Sequence, residues 1–247
     1  MAGAISFENL LEFDIEKWKS VLKLDDEKII GLQTLTAYTA SLSYAVSLHD
    51  ILLNIYGKTD DEQRGMIDFT PVAILYCKIV EKMLNDLHKP LYIDLLGNYD
   101  FAQMYAEDSY TIGEFAFPIV RSKGNPYNWE KCIDALVKGT GKMRQKWNQH
   151  ALYIGELRNI RNLVAHVKPI DESVFDQLIK TLFEGNIEEL IEKEMTRRVK
   201  AKNNGKYNPN FKQEIKTAVF QAKKDMSYRN DDYNTGALLL ISKLAEK

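Results

Sequence analysis

Apolar residues recur every three to four positions along most of the chain, and strict two-residue alternation is scarce, so the sequence predicts a nearly all-α protein. Helices are expected over residues 6–23 and 26–56, the second opening after Asp25, with a charged loop from Gly57 to Gly65. Thr70 before Pro71 reads as an N-cap and first-turn pair. It opens a strong helix through Ile74, Leu75, Ile79, Met83, Leu84 and Leu87, which Pro90 kinks or ends. Thr111-Ile112-Gly113-Glu114 has capping-box spacing and starts a shorter helix, disturbed early by Pro118. Asn125-Pro126 starts another that Gly139-Thr140-Gly141 interrupts. A long helix follows, from about Lys142 or Ala151 to Val167, with Leu157, Ile160, Leu163, Val164 and Val167 on its apolar face. Asp171 caps the next helix, and further helices are expected at about 187–202, 210–227 and 235–246.

The expected fold is a helical bundle with additional N- and C-terminal helices. Its segments are residues 1–69, a core of 70–184 and a basic extension of 185–247, the boundary falling near Phe183 to Ile187. They also suit one compact domain overall. Hydrophobic residues make up 45% of the 247, enough for a sizeable core, and no apolar run approaches the roughly 18 to 20 residues that span a bilayer. The first residues lack a basic stretch followed by an apolar run, so a cytoplasmic protein without a secretory signal or membrane association is expected.

Charge changes the picture through its distribution, because the net formal charge is only -2. Residues 1–62 carry eleven acidic and five basic side chains, and residues 193–224 carry ten Lys or Arg against two Glu. The basic stretch from Lys193 to Lys224, with Tyr207, Phe211 and Tyr228 available for stacking, suits RNA phosphates. It equally suits a solvated helical face, or pairing with the acidic N-terminal segment.

The sharpest chemistry lies in Arg161-Asn162-Leu163-Val164-Ala165-His166, just before the helix-stopping Pro169. On an ideal helix Asn162 and His166 are about 40° apart on one face, and Arg161 flanks it. Cleaving RNA by internal attack needs a base for the 2′-hydroxyl, positive charge at the phosphate and an acid for the leaving oxygen. Arginine supplies the charge. Histidine, titrating at about 6.5 when unperturbed, supplies proton transfer. One imidazole cannot be base and acid at once, so a dimer mate or a water would complete the reaction. The same residues suit a plain helix end, with a solvated arginine and a histidine capping carbonyls.

Arg161-Asn162-Leu163-Val164-Ala165-His166 resembles the signature of the HEPN superfamily, an arginine separated from a histidine by four to six residues, with Asn after Arg and Ala before His. Tyr76 to Leu84 and Thr111 to Phe115 resemble the first helices of such domains, so the resemblance spans residues 70–184. It implies a helical bundle that dimerises. Its active members are metal-independent endoribonucleases, often in toxin-antitoxin, abortive-infection or CRISPR-associated defence, so RNA, a second copy and an antitoxin or defence partner are the implied partners. The implied roles are phosphate binding by Arg161, polar orientation by Asn162 and proton transfer by His166. Glu81, an acidic residue on an earlier helix, is an implied substrate contact; beside the resemblance, Arg158 and Lys168 are candidate substrate contacts, Arg158 equally suiting a solvent-exposed charge. Lys168 also departs from the pattern, standing where some family toxins carry a modifiable tyrosine. A non-catalytic module of the same type, binding RNA, a nucleotide or a protein, is the alternative.

Other features add little chemistry. Gly57-Lys58-Thr59 and Gly139-Thr140-Gly141-Lys142 lack both the upstream glycine and the preceding strand of a phosphate-binding loop. His49, His88 and His150 have no metal-ligand spacing and are expected on the surface or satisfied by local partners, so neither a metal nor another cofactor is expected. Cys77 and Cys132 are expected to be buried thiols, and Trp18, Trp129 and Trp147 core or interface anchors.

Overall fold

Side-chain caps and apolar stripes set the helices where the sequence placed most of them. The computed structural model describes residues 13–91, 111–113, 115, 141–165, 169–202, 210–225 and 235–246. Helix α1 (Ile15–Leu22) starts at Asp14, whose carboxylate accepts from the Lys17 N–H, and α2 (Asp26–Gln33) starts at Asp25 in the same way. The helix expected over 26–56 divides. A 3₁₀ turn at Thr36–Tyr38 separates α2 from α3 (Thr39–Tyr56), and the Thr34 hydroxyl donates to the Gly31 carbonyl at the break. The loop after Gly57 contains a short helix, α4 (Asp61–Arg64), opened by a capping box between Asp60 and Gln63.

Helix α5 (Thr70–Met83) includes Thr70 as its first residue instead of using it as the cap. The Asp68 carboxylate accepts from the Thr70 N–H, which frees the Thr70 hydroxyl to accept from the Ile170 N–H. A π-helical turn, Leu84–His88, then continues to Leu91 through Pro90. Proline removes one N–H and crowds the preceding turn, and the wider register, with Lys89 N–H on the Leu84 carbonyl, carries the helix past it. Ile112, Gly113 and Phe115 are helical, with the Phe115 N–H on the Thr111 carbonyl. Glu114, Pro118 and the expected helix after Asn125 lie outside the described residues.

The long helix α6 (Gly141–Ala165) leads to α7 (Glu172–Ile179), capped by Asp171, and to a second π-helical turn, Lys180–Glu184. Gly185, at φ 82°, ends that turn in the left-handed conformation that glycine adopts without a Cβ clash. Helices α8 (Ile187–Lys202) and α9 (Phe211–Asp225) form an antiparallel-type hairpin pair packed on each other, and α10 (Ala237–Ala245) follows. Among the described residues no strand occurs, so the fold is an all-α bundle.

One hydrophobic cluster draws on all three sequence segments: Trp18 and Leu22 from α1, Tyr76 and Val80 from α5, Tyr153 and Leu157 from α6, and Leu240 and Ile241 from α10. Helix α10 packs against α6, α5, α2 and both π turns, so among the described residues the last helix completes a core to which the first also contributes. Gly236, which opens α10, lies so close to the backbone of Leu182 and Phe183 that a Cβ there would overlap it. Trp147 is buried as expected of an anchor, and Cys77 is a buried thiol that burial pushes up to about 12. Trp129 and Cys132 lie outside the described residues. No helix among the described residues is long and apolar enough to cross a membrane.

Candidate functional site

The apolar stripe of α6 turns Leu157, Ile160 and Val164 into the core, which leaves Arg158, Arg161 and Asn162 half-buried at its margin. Leu163 departs from the expected apolar face: it is 51% exposed, about 60° around the helix from buried Ile160. His166 and Lys168 lie outside the described residues. Just beyond them the chain is tied back to α5, where the Phe69 N–H donates to the Ile170 carbonyl and Ile170 donates to Thr70. The stretch that leads into α7 is therefore fastened to the start of α5.

Helices α5 and α6 pack side by side and bring Glu81 to Arg161. Glu81 is 6% exposed, an unusual burial for a carboxylate, and it survives there because three donors surround it. Lys78 Nζ lies 2.7 Å from Oε2, Arg161 Nε lies 3.4 Å from Oε1, and the Ile112 N–H donates to Oε1 at 3.4 Å. The Glu81 main-chain carbonyl accepts from the Asn85 side chain, which adds a link to the π turn below. One carboxylate against two cations leaves this cluster with a formal charge of +1. It also sits beside Cys77, whose thiolate Glu81 disfavours and Arg161 and Lys78 favour, burial being the largest influence.

Arg161 is held in an informative way. Its closest approach to Glu81 is through Nε, and among the described residues its two terminal nitrogens make no hydrogen bond to an acidic side chain. Those terminal nitrogens form the side of the guanidinium fork that meets a phosphate. The carboxylate thus orients the arginine without occupying that side. Arg158, one turn before Arg161, has no acidic partner among the described residues either. The structure places Arg161, Asn162 and Arg158 along one end of α6 and joins Arg161 to Glu81; it does not bring Asn162 into the Glu81 cluster.

Lys78 and the Ile112 N–H were not assigned a role from sequence. The spacing of Lys78 and Glu81, three residues apart on one helix, is a signal for the first. Nothing in sequence alone signals the second, because it depends on a segment thirty-one residues away.

The three described histidines are not at the surface. His49 is buried against the Phe175 ring with its Nδ1 3.4 Å from the Tyr76 hydroxyl, and burial lowers its pKa to about 4. His88 donates from Nε2 to the Ile241 carbonyl at 2.7 Å, and burial lowers it to about 4 despite that bond. His150 stacks beside His88 and Trp147, and burial together with the neighbouring His88 pushes it well below the usual value. The Tyr76 and Ile241 partners are distant in sequence, so His49 and His88 are neither the surface rings nor the locally satisfied ones that local reading predicts. Among the described residues no three His, Cys, Asp or Glu side chains gather as a metal-binding group.

The cations of the C-terminal hairpin divide between its two helices. On α8, Lys193 pairs with Glu156 of α6 and with Glu189, and Arg197 and Arg198 both pair with Glu194. On α9, Lys223 pairs with Glu188, and Lys212, Lys216 and Lys224 have no acidic partner among the described residues. The expected pairing with the acidic N-terminal segment is not how these ion pairs form, since their partners come from α6 and α8. Compared with known proteins, the chain matches no family model, and neither a curated protein nor a solved structure matches it.

Proposed function

We propose that this protein is a metal-independent endoribonuclease whose reaction centre is built from Arg161, Asn162 and His166. The observation that carries the reading is the setting of Arg161: buried Glu81 lies nearest its Nε, and its terminal nitrogens make no hydrogen bond to an acidic side chain among the described residues, which suits them to a phosphate. In the proposed reaction the 2′-oxygen bonds to phosphorus as the P–O5′ bond breaks. A proton leaves the 2′-hydroxyl for one imidazole, and another proton reaches O5′ from a second acid. The products are a 2′,3′-cyclic phosphate and a 5′-hydroxyl. Arg161 stabilises the charge that grows on the phosphoryl oxygens, Asn162 orients the substrate, Arg158 and Lys168 extend phosphate contact, and Glu81 positions Arg161.

Because each copy carries one motif histidine, the second proton-transfer group comes from a partner copy, and the half-exposed Leu163 inside the motif supports contact at this face. The resemblance to the HEPN superfamily supports a cytoplasmic toxin or phage-defence effector restrained by an antitoxin. The measurement is cleavage of an RNA in chelator, beside the same strand carrying 2′-deoxy sugars. RNA should be cut to cyclic-phosphate ends and the deoxy strand left intact. Cleavage of both strands rules out internal attack.

A second reading has its own observation. A buried carboxylate satisfied by two cations and an N–H is also a complete structural joint between two helices, and it would serve a non-catalytic RNA-, nucleotide- or protein-binding module equally well. That module retains RNA affinity when cleavage is absent.

A further inference from the structure

Helix α9 sits at the margin of the bundle, packed principally on α8, and none of its described side chains is fully buried. Its modest apolar face is half-buried through Ile215, Ala218, Val219 and Ala222, of which Val219 and Ala222 touch the core. On the exposed side Lys212, Lys216, Phe220 and Lys224 follow one another at four-residue steps. Each step advances about 6 Å along the axis and turns about 40°, so the four form a gently winding stripe about 18 Å long. Phe220 is 71% exposed, far more than an aromatic ring in a folded core, and it stands between Lys216 and Lys224.

A large exposed aromatic ring costs free energy unless something covers it, and cations left without carboxylates favour a polyanion. The neighbouring helix gives the contrast. Arg197 and Arg198 on α8 both engage Glu194, which makes their charge part of the helix's own surface, whereas Lys212, Lys216 and Lys224 have no such partner among the described residues. An anionic membrane would need a broad exposed apolar face, and here the apolar face is turned toward α8, leaving a single ring outward. Alternating cations and one stacking ring instead match a flexible chain of phosphates and bases.

We propose that the outer face of α9 binds single-stranded polynucleotide, with a base stacked on Phe220 and phosphates held by Lys212, Lys216 and Lys224. Phosphates and base faces are common to RNA and DNA, and the assignment to RNA rests on the nuclease reading. Binding here needs no chemistry at Arg161, so the surface extends that reading from a reaction centre to a docking site for the strand.

The test uses the full chain carrying His166→Ala, so that a bound strand is not cut, and follows the fluorescence anisotropy of a labelled oligouridylate. Phe220→Ala weakens binding by about 5- to 100-fold, the range of a lost stacking contact, and Phe220→Leu does not restore it. Neutralising three phosphate contacts with Lys212→Gln, Lys216→Gln and Lys224→Gln lowers the slope of log affinity against log salt by about 2. Arg197→Gln with Arg198→Gln changes affinity less than twofold. Circular dichroism that matches the parent's confirms that α9 is retained in each variant.

Unchanged affinity in the Phe220 and lysine variants overturns the proposal, as does binding to phosphatidylserine vesicles without binding to the oligonucleotide. Tighter binding of oligothymidylate than of oligouridylate overturns the assignment to RNA. A wild-type protein that cuts RNA while these variants bind it normally sinks the α9 surface and leaves the nuclease reading intact. Binding through α9 by a protein that cuts nothing does the reverse.

Discussion

Two clusters in this protein have the same formal charge inventory, one glutamate and two cations, and opposite consequences. At Glu194, Arg197 gives Nε and Nη2 to the two carboxylate oxygens at 2.8 Å each, and Arg198 adds Nε at 2.7 Å. All three residues lie within two turns of α8, the arginines are 64% exposed, and the pairing lowers the glutamate's pKa against the opposing effect of its partial burial. At Glu81 the cations come from two helices, the carboxylate is buried, and the closest approach of Arg161 is through Nε at 3.4 Å. The first arrangement engages its arginines with their own helix; the second joins two helices through a buried carboxylate. Charge counting cannot separate them, and the burial of the carboxylate and the origin of its cations do.

The sharpest way to break the comparison is to remove the arginines. Arg161→Ala should lower RNA cleavage by roughly 10²- to 10³-fold, the cost of losing one donor to the growing charge. Arg197→Ala should leave cleavage of the same RNA within about twofold. Equal losses in initial-rate assays would mean that the two clusters do the same work.

Acid is the next perturbation, and it acts on the core beneath both clusters. His49 and His88 have folded pKa values of about 4 against about 6.5 when unfolded, so their stabilisation is fully present above pH 6.5 and is lost as pH falls toward 4. Between pH 7 and pH 5 the unfolded chain binds more protons, and each of these histidines should remove on the order of 2 kcal/mol of stability. His150 acts in the same direction. Urea unfolding at the two pH values checks this, and a flat profile would place the rings outside the core.

Substituting the carboxylates gives smaller effects. Glu81→Gln leaves Lys78 and Arg161 without their anion and should lower unfolding stability by about 1–2 kcal/mol, discounted because both cations reach solvent. It should also reduce cleavage about tenfold by loosening Arg161. Glu194→Gln, in an exposed network, should change stability by less than about 1 kcal/mol and leave cleavage unaffected. Paired urea titrations and rate measurements separate the two glutamates, and a larger loss at Glu194 would invert the account.

Local signals carried far into this fold, and long-range ones did not. Asp25 and Asp171 cap the helices that their spacing indicated, since an N-cap depends on residues only three positions away. The break at Thr34 to Tyr38 escaped because no Gly or Pro marks it, and the π turn before Pro90 escaped because periodicity does not register a wider turn. Leu163 suited the apolar period, and its exposure depends on tertiary packing that the period does not encode. At the candidate site the motif was visible as a string, and Glu81 entered through resemblance. Its contact with Arg161 joins residues eighty positions apart, which no local pattern encodes. Phe220 carries no distinguishing signal in the sequence, and its exposure follows from which side of α9 packs on α8.

The central claim is that Arg161, fixed by Glu81, handles a phosphate while His166 moves its proton. Its most direct measurement is the initial rate of RNA cleavage in chelator by the wild-type chain and by His166→Ala, with circular dichroism and thermal unfolding showing that both are folded. The account predicts cleavage by the wild type to 2′,3′-cyclic phosphate ends and a loss of at least about 100-fold in the variant. Undiminished cleavage by folded His166→Ala, or no cleavage by the wild type as a dimer freed from any restraining partner, would contradict it.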